Sequence, residues 1–267
     1  MTLFRALLLA LAAAALAGAV SPSGAVLTAL SVNPSDQMAT MTVLPPPSLF
    51  AASGSGGAVD LSWPASSTSP GSGHTLSYIV LRGPVGGPYA TIATTGASVL
   101  SYSDTPPTDG TYGYVVKTQV SGAGAFQSAN GAVASATSDR TAPTVGVTFP
   151  SPGGSYGSTS WGGASGAFSG TASDAGTGIP SSASIGLVIT RSSTGDTWNG
   201  TSFASGSNTV AASSYDPSTG GWTYSFPAVD FPAVDSYSVT VNATDGAQNV
   251  GTSGVVSFAY GTRRGRP

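Results

Sequence analysis

The chain has no cysteine and no glutamate, and only one histidine (His74) and one lysine (Lys117) among its 267 residues. Without cysteine there is no disulfide framework and no thiolate for catalysis or zinc, so the fold must stand on its apolar cores. Charged side chains are 7% of the residues, against roughly a quarter in an average soluble domain, and all eleven acids are aspartates. Coiled coils and helix bundles need glutamate and lysine on their solvated faces, so both are excluded. A net charge of −3 with a single lysine cannot neutralise a run of phosphates, which argues against nucleic acid as a partner. A Ser–His–Asp arrangement would have to use His74, which stands in the loop-like tract Ser69–His74, and no G-x-S-x-G elbow is present. Lys117 lies mid-strand with Gln119 on the same face, an ordinary outward lysine rather than a base for a serine. No glycine tract is followed by Lys-Ser/Thr, so there is no P-loop. The expectation is a protein that is not an enzyme and carries no organic cofactor.

What is abundant is glycine (37 residues) and proline (19), together with serine and threonine. Residues 1–20 carry Arg5 and then a Leu/Ala run to about Ala19. This is the pattern of a secretory signal peptide, with cleavage after Ala19 or after Ala25. The competing reading is an uncleaved anchor; the run falls short of a preferred span and no basic stop-transfer cluster follows it. With residues 1–25 removed, the mature chain is expected to have no transmembrane span and to be secreted, extracellular or attached to the cell surface.

Residues 26–44 form an N-terminal extension or linker, and Pro45-Pro46-Pro47 stiffens the chain at a domain start. From there, short runs rich in Val, Ile, Tyr, Thr and Phe alternate in period two between Gly, Ser, Pro and Asp clusters, which predicts an all-β chain. The polar segment Ser138–Pro143 divides it, so two tandem immunoglobulin-like antiparallel β-sandwiches are expected, 45–138 and 139–261. Residues 262–267 are a short basic tail. In the first half Val59, Leu61 and Trp63 share one strand face and should meet Tyr112, Tyr114 and Val116 across the sandwich. In the second, Val145, Val147 and Phe149, then Ile185, Leu187 and Ile189, then Tyr237, Val239 and Val241 should build the core.

Several residues carry a family likeness. Pro47-Ser48-Leu49, Trp63, Tyr78-x-Val80, Tyr102-x-Asp104 and Tyr112-x-Tyr114-x-Val116 occur in an order that resembles a bacterial fibronectin type III domain. The resemblance implies that Tyr112 is the corner tyrosine that ties the loop before its strand to the backbone. Ala142-Pro143-Thr144, Gly170-Thr171-Ala172-Ser173-Asp174, Gly178-Ile179, Trp198-Asn199-Gly200, Trp222, Tyr237 and Ala243–Asn249 resemble the bacterial immunoglobulin-like repeats of large surface proteins. Such modules are spacers, adhesion units or carbohydrate-surface accessories, and the resemblance implies no reaction. The expected partner is therefore a protein or a surface polysaccharide, including a second copy of the chain.

Three candidate sites follow. In an immunoglobulin-like topology the loops after the second and sixth strands emerge at one pole, where Asp174, Asp245 and Asn249 would join Asp139 on the entering linker. The loop Asp104–Asp109 of the first half is expected to point the same way. Calcium takes six to eight oxygens from such groups; the alternative is that these residues make Asx turns with their own loop amides. Second, Ile79, Leu81 and Val115 face away from Tyr78 and Val80, and an apolar outer face marks contact with another protein or domain, or packing against residues 26–44 as an extra strand. Third, Trp161 and Trp198 lie outside clean strand patterns, where they either stack on sugar rings or pack into the core.

Overall fold

The computed structural model describes residues 26–28, 40–121, 126–161 and 166–261. The expected signal peptide, most of the extension and the basic tail lie outside them. The chain divides into two compact units whose main changeover falls between Ala136 and Thr137; the second unit also takes in Ser53–Ala58 and Pro106–Gly110. The described residues form β-strands and a few 3-10 turns, with no α-helix, and no helix is long and apolar enough to cross a membrane.

The first unit begins with β1 (Val26–Thr28) and β2 (Thr40–Thr42), which pair with each other. It continues with β3 (Phe50–Ser53), β4 (Val59–Ser62), β5 (Leu76–Gly83), β6 (Ala90–Gly96), β7 (Ser101–Asp104), β8 (Gly110–Val120), β9 (Phe126–Gln127) and β10 (Ala134–Ser138). One sheet runs β3-β4-β7 and the other β10-β8-β5-β6, with β9 also on β8. Period-two alternation in β4 buries Val59 and Leu61 and exposes Asp60 and Ser62. Val59, Leu61 and Trp63 then meet Tyr78, Val80, Tyr114 and Val116 from the facing sheet, with Tyr112 partly buried at the margin. Trp63 lies edge-on to Tyr78 at 5.8 Å, an arrangement aromatic quadrupoles favour. Among the buried polar groups of this half, Asp104 accepts hydrogen bonds from Arg82 Nη1 (2.9 Å) and from the buried Tyr114 hydroxyl (2.9 Å). Burial, and then Asp104, push the Tyr114 phenol far above its ordinary value, so it stays a donor. Arg82 also lies over the Tyr112 ring, 5.4 Å from its centre.

The second unit holds β11 (Thr144–Phe149), β12 (Ser155–Tyr156), β13 (Ala167–Ser173), β14 (Ile185–Arg191), β15 (Thr197–Trp198), β16 (Phe203–Ala204), β17 (Val210–Ala211), β18 (Ser214–Asp216), β19 (Gly221–Ser225), β20 (Asp235–Thr244), β21 (Val250–Thr252) and β22 (Val256–Tyr260). One sheet runs β11-β13-β19-β18 and the other β12-β22-β20-β14-β15-β16, with β17 on β14 and β21 on β20. The β14–β20 register sets Leu187 opposite Val241 and Ile189 opposite Val239, so both strands turn their apolar residues inward together. Val145, Val147 and Phe149 pack against this core only partly buried.

Candidate metal centre

Strand ends place the acidic residues. Asp139 follows β10, Asp174 follows β13, Asp245 follows β20, and Asn249 precedes β21. All belong to the second unit, and one carboxylate oxygen of each aspartate lies within 4.8 Å of the others. Asp139 and Asp245 are each 1% exposed, so the charges are largely withdrawn from water.

Loop donors hold most of these oxygens. Asp139 accepts from the Thr141 amide (3.0 Å) on Oδ1, and from the Thr177 amide (2.7 Å) and hydroxyl (2.9 Å) on Oδ2. Asp245 Oδ1 accepts the amides of Ala247 and Asn249, each at 2.8 Å, while its Oδ2 accepts Asn249 Nδ2 at 2.8 Å. Asn249 Nδ2 also reaches the Asp139 carbonyl at 3.1 Å, which stitches this loop to the entering strand. Asp174 Oδ2 accepts the amides of Gly176 (2.9 Å) and Gly178 (2.8 Å). These are Asx-type turns, in which a short acceptor side chain captures amides two and four residues on. Gly176 is required by close approach: a Cβ there would stand 2.1 Å from Asp139 Oδ2.

Two observations go beyond turn formation. Asp174 Oδ1 is buried and accepts no hydrogen bond, and a buried polar atom without a partner loses its hydration uncompensated. Nor does an ion pair balance the cluster among the described residues. Arg140, the adjacent cation, is engaged by Asp109 Oδ1 at 2.6 Å and by the Pro106 carbonyl. For Asp139, burial pushes the carboxyl up, but the donors from Thr177 and Thr141 outweigh it and hold the group below the ordinary aspartate value. A pocket of about 310 Å³, bordered by Asp174, Ile179, Tyr215 and Pro217, opens beside the cluster. Buried anionic oxygens, one of them free, and a route from solvent are what a hard cation such as calcium uses.

Sequence reasoning brought the four polar residues together but missed Thr177. Its hydroxyl donates to Asp139 and accepts the Ala247 amide at 2.9 Å, linking two loops; a lone threonine between two glycines carries no sequence signal for that role. Asp104 and Asp109 were expected to face the same pole. Each has an arginine partner, Arg82 for Asp104 and Arg140 for Asp109.

The other candidates read differently in three dimensions. Ile79, Leu81 and Val115 do come together, with Tyr89 against them, but at 5%, 8% and 0% exposure they are covered within this chain and offer no open surface. Among the described residues of the segment 26–44, β1 and β2 pair with each other. Of the two readings of the tryptophans, core packing is the one their burial matches. Trp161 is fully buried, stacks on Phe258 at 5.2 Å, meets Phe168 edge-on at 5.1 Å, and donates Nε1–H to the Phe226 carbonyl at 2.7 Å. Trp198 is buried and donates to the Tyr224 hydroxyl at 2.8 Å. A loop sequence hid Trp161 because its neighbours are glycine and serine, while the ring itself reaches inward. His74 donates Nδ1–H to the Ser121 carbonyl at 2.7 Å on an exposed strand end.

No family model matches the sequence, and no curated protein does. The chain is similar to the solved chicken CNTN1 FN1–FN3 domains, at 14% identity and a TM-score of 0.44, with 89% of this chain and 77% of that one covered. It is similar also to the fibronectin(III)-like modules of Clostridium thermocellum CbhA, at 14% identity and a TM-score of 0.42, with 80% and 93% covered.

Proposed function

We propose that the chain is a non-catalytic extracellular module that works in adhesion, spacing or self-assembly, with a protein, a surface polysaccharide or a second copy as its partner. One observation carries this reading. The polar residues gathered at the loop pole of the second unit are committed to holding their own loops: every side-chain oxygen of Asp139 and Asp245, and one of Asp174, accepts loop hydrogen bonds. His74, the sole imidazole, closes a strand end. Groups held in this way build a durable scaffold. A surface of hydroxyls with few charges repels its own copies weakly, which suits assembly through open sheet edges.

The test is turnover. The purified chain, with a cooperative melt to prove it folded, is assayed against ester, glycoside and peptide substrates. The expected rate equals the blank; turnover abolished by His74→Ala would overturn the reading.

In the same proposal the cluster of Asp139, Asp174 and Asp245, with Asn249 beside it, takes a calcium ion. The unpartnered Asp174 Oδ1 supports this, since a ligand would satisfy the one carboxylate oxygen that the loops leave bare.

A further inference from the structure

The sequence contains Asn-Gly twice, at Asn130-Gly131 and at Asn199-Gly200. This dipeptide can modify itself, because glycine puts no side chain in the way when its amide nitrogen turns onto the preceding carboxamide. The fold treats the two copies in opposite ways. Gly131 is pressed against β8: its amide donates to the Val116 carbonyl at 3.1 Å, and a Cβ there would stand 2.6 Å from that oxygen. Its nitrogen is both bonded and hemmed in. Asn199 and Gly200 are exposed, in the turn 199–202 between β15 and β16. The Gly200 amide makes no hydrogen bond among the described residues, and a Cβ there would meet nothing closer than Val210 at 3.9 Å.

Asn199 is also held in a reactive pose. Its Oδ1 accepts three donors at 2.9 Å each, the amides of Thr201 and Ser202 and the Thr201 hydroxyl. These bonds curl the carboxamide back over its own chain, toward the Gly200 peptide. Nδ2 has no partner among the described residues. Beneath the turn, the buried Trp198 packs on Phe203 with ring centres 5.4 Å apart, so the two short strands fix the loop.

We propose that Asn199 is a self-modification site, where the chain deamidates through a succinimide with no enzyme. The Gly200 nitrogen gives its proton to water and bonds to Cγ of Asn199. The negative charge that develops on Oδ1 falls among three donors already aimed at it. The Cγ–Nδ2 bond then breaks, and ammonia leaves with a proton from water. Water opens the ring at either carbonyl, giving an aspartyl or an isoaspartyl link. In sum an amide and water become an acid and ammonia, with nothing oxidised or reduced. The event adds one negative charge to a chain whose net charge is −3. In the aspartyl product the new carboxylate inherits the three donors as charge-assisted bonds. The site stands independently of the adhesion reading.

The experiment is peptide mapping by mass spectrometry on the full chain, incubated in mildly alkaline buffer with no enzyme present, with isoaspartate then counted by enzymatic methylation. In the folded chain Asn199 should convert about tenfold faster than Asn130, a barrier difference of about 1.4 kcal/mol. In denaturing urea the two rates should converge, because the fold makes the difference. Thr201→Val should slow conversion of Asn199 about tenfold at an unchanged melting temperature, less than an enclosed oxyanion site loses, since water replaces the hydroxyl. Thr201→Ser should restore the parental rate. The proposal is overturned if Asn199 stays an amide, if Asn130 reacts as fast in the folded chain, if the difference persists in urea, or if Thr201→Val and Thr201→Ser both react like the parent. None of these outcomes bears on turnover of added substrates, so the adhesion reading fails or stands separately.

Discussion

Asp139 shows how one residue can be structural and yet leave a measurable signature. Its two oxygens collect three loop donors, and its carboxyl titrates below the ordinary aspartate range. An acid whose pKa is lower folded than unfolded adds stability above the unfolded value, about 3.9, and loses it as pH falls through the folded one. The denaturation midpoint should therefore hold between neutral pH and about 5, then fall below about 4. Asp216 and Asp235 are lowered as well, chiefly by Ser218 and Ser193, so the decisive quantity is the difference between parent and variant. Asp139→Asn should cost about 2 kcal/mol at pH 7, as the loss of charge-assisted hydrogen bonds does, and this difference should shrink on acidification. Urea melts from pH 7 to pH 3 measure it; a pH-independent difference would remove the charge from the account.

At the scale of the element, the strands are set by alternation and by points of close approach. In β13, Gly170 stands between Val147 of β11 and Trp222 of β19. A Cβ there would lie 2.0 Å from the Gly146 carbonyl oxygen and 2.4 Å from the Trp222 ring. The indole can sit this close to β13 because that position has no side chain. Gly170→Ala should destabilise the second unit by about 2–3 kcal/mol, the cost of overpacking a filled core, seen as a lower chemical midpoint with an unchanged slope. Another element carries a signal in plain view: Phe-Pro-Ala-Val-Asp occurs twice in succession, at 226–230 and 231–235. In both copies the phenylalanine is buried and the valine exposed, and the Tyr237 hydroxyl then closes onto the Ala233 carbonyl at 2.9 Å. That bond is a tyrosine-to-backbone tie like the one the resemblance assigned to Tyr112 in the first half.

For the whole molecule, two units with separate apolar cores imply that a ligand held by one should stabilise that one. Calcium at the Asp139–Asp174–Asp245 cluster would raise the melting of the second unit and leave the first unchanged. Calorimetry in chelator and at millimolar calcium should show one transition moving up by several degrees. Asp174→Asn should abolish the shift, because it weakens the carboxylate whose oxygen stands free. Titration without heat, together with superimposable melts, would return the cluster to the role of turn-maker alone.

Much of the architecture is legible in the order of the amino acids. Period-two runs name strands, and glycine and proline clusters name turns, because both follow from local backbone geometry. Val59, Leu61 and Trp63 can thus be assigned to a core, and Asp139, Asp174, Asp245 and Asn249 to one pole. Composition alone, with a single imidazole and no thiol, bounds the chemistry. What depends on packing is not legible in this way. Whether Trp161 faces water or the core, whether Ile79, Leu81 and Val115 lie open or covered, and that Thr177 bridges two loops are decided only in three dimensions. The reason is physical: alternation specifies which face of a strand a side chain takes, but what lies over that face is set by chain segments far away in sequence.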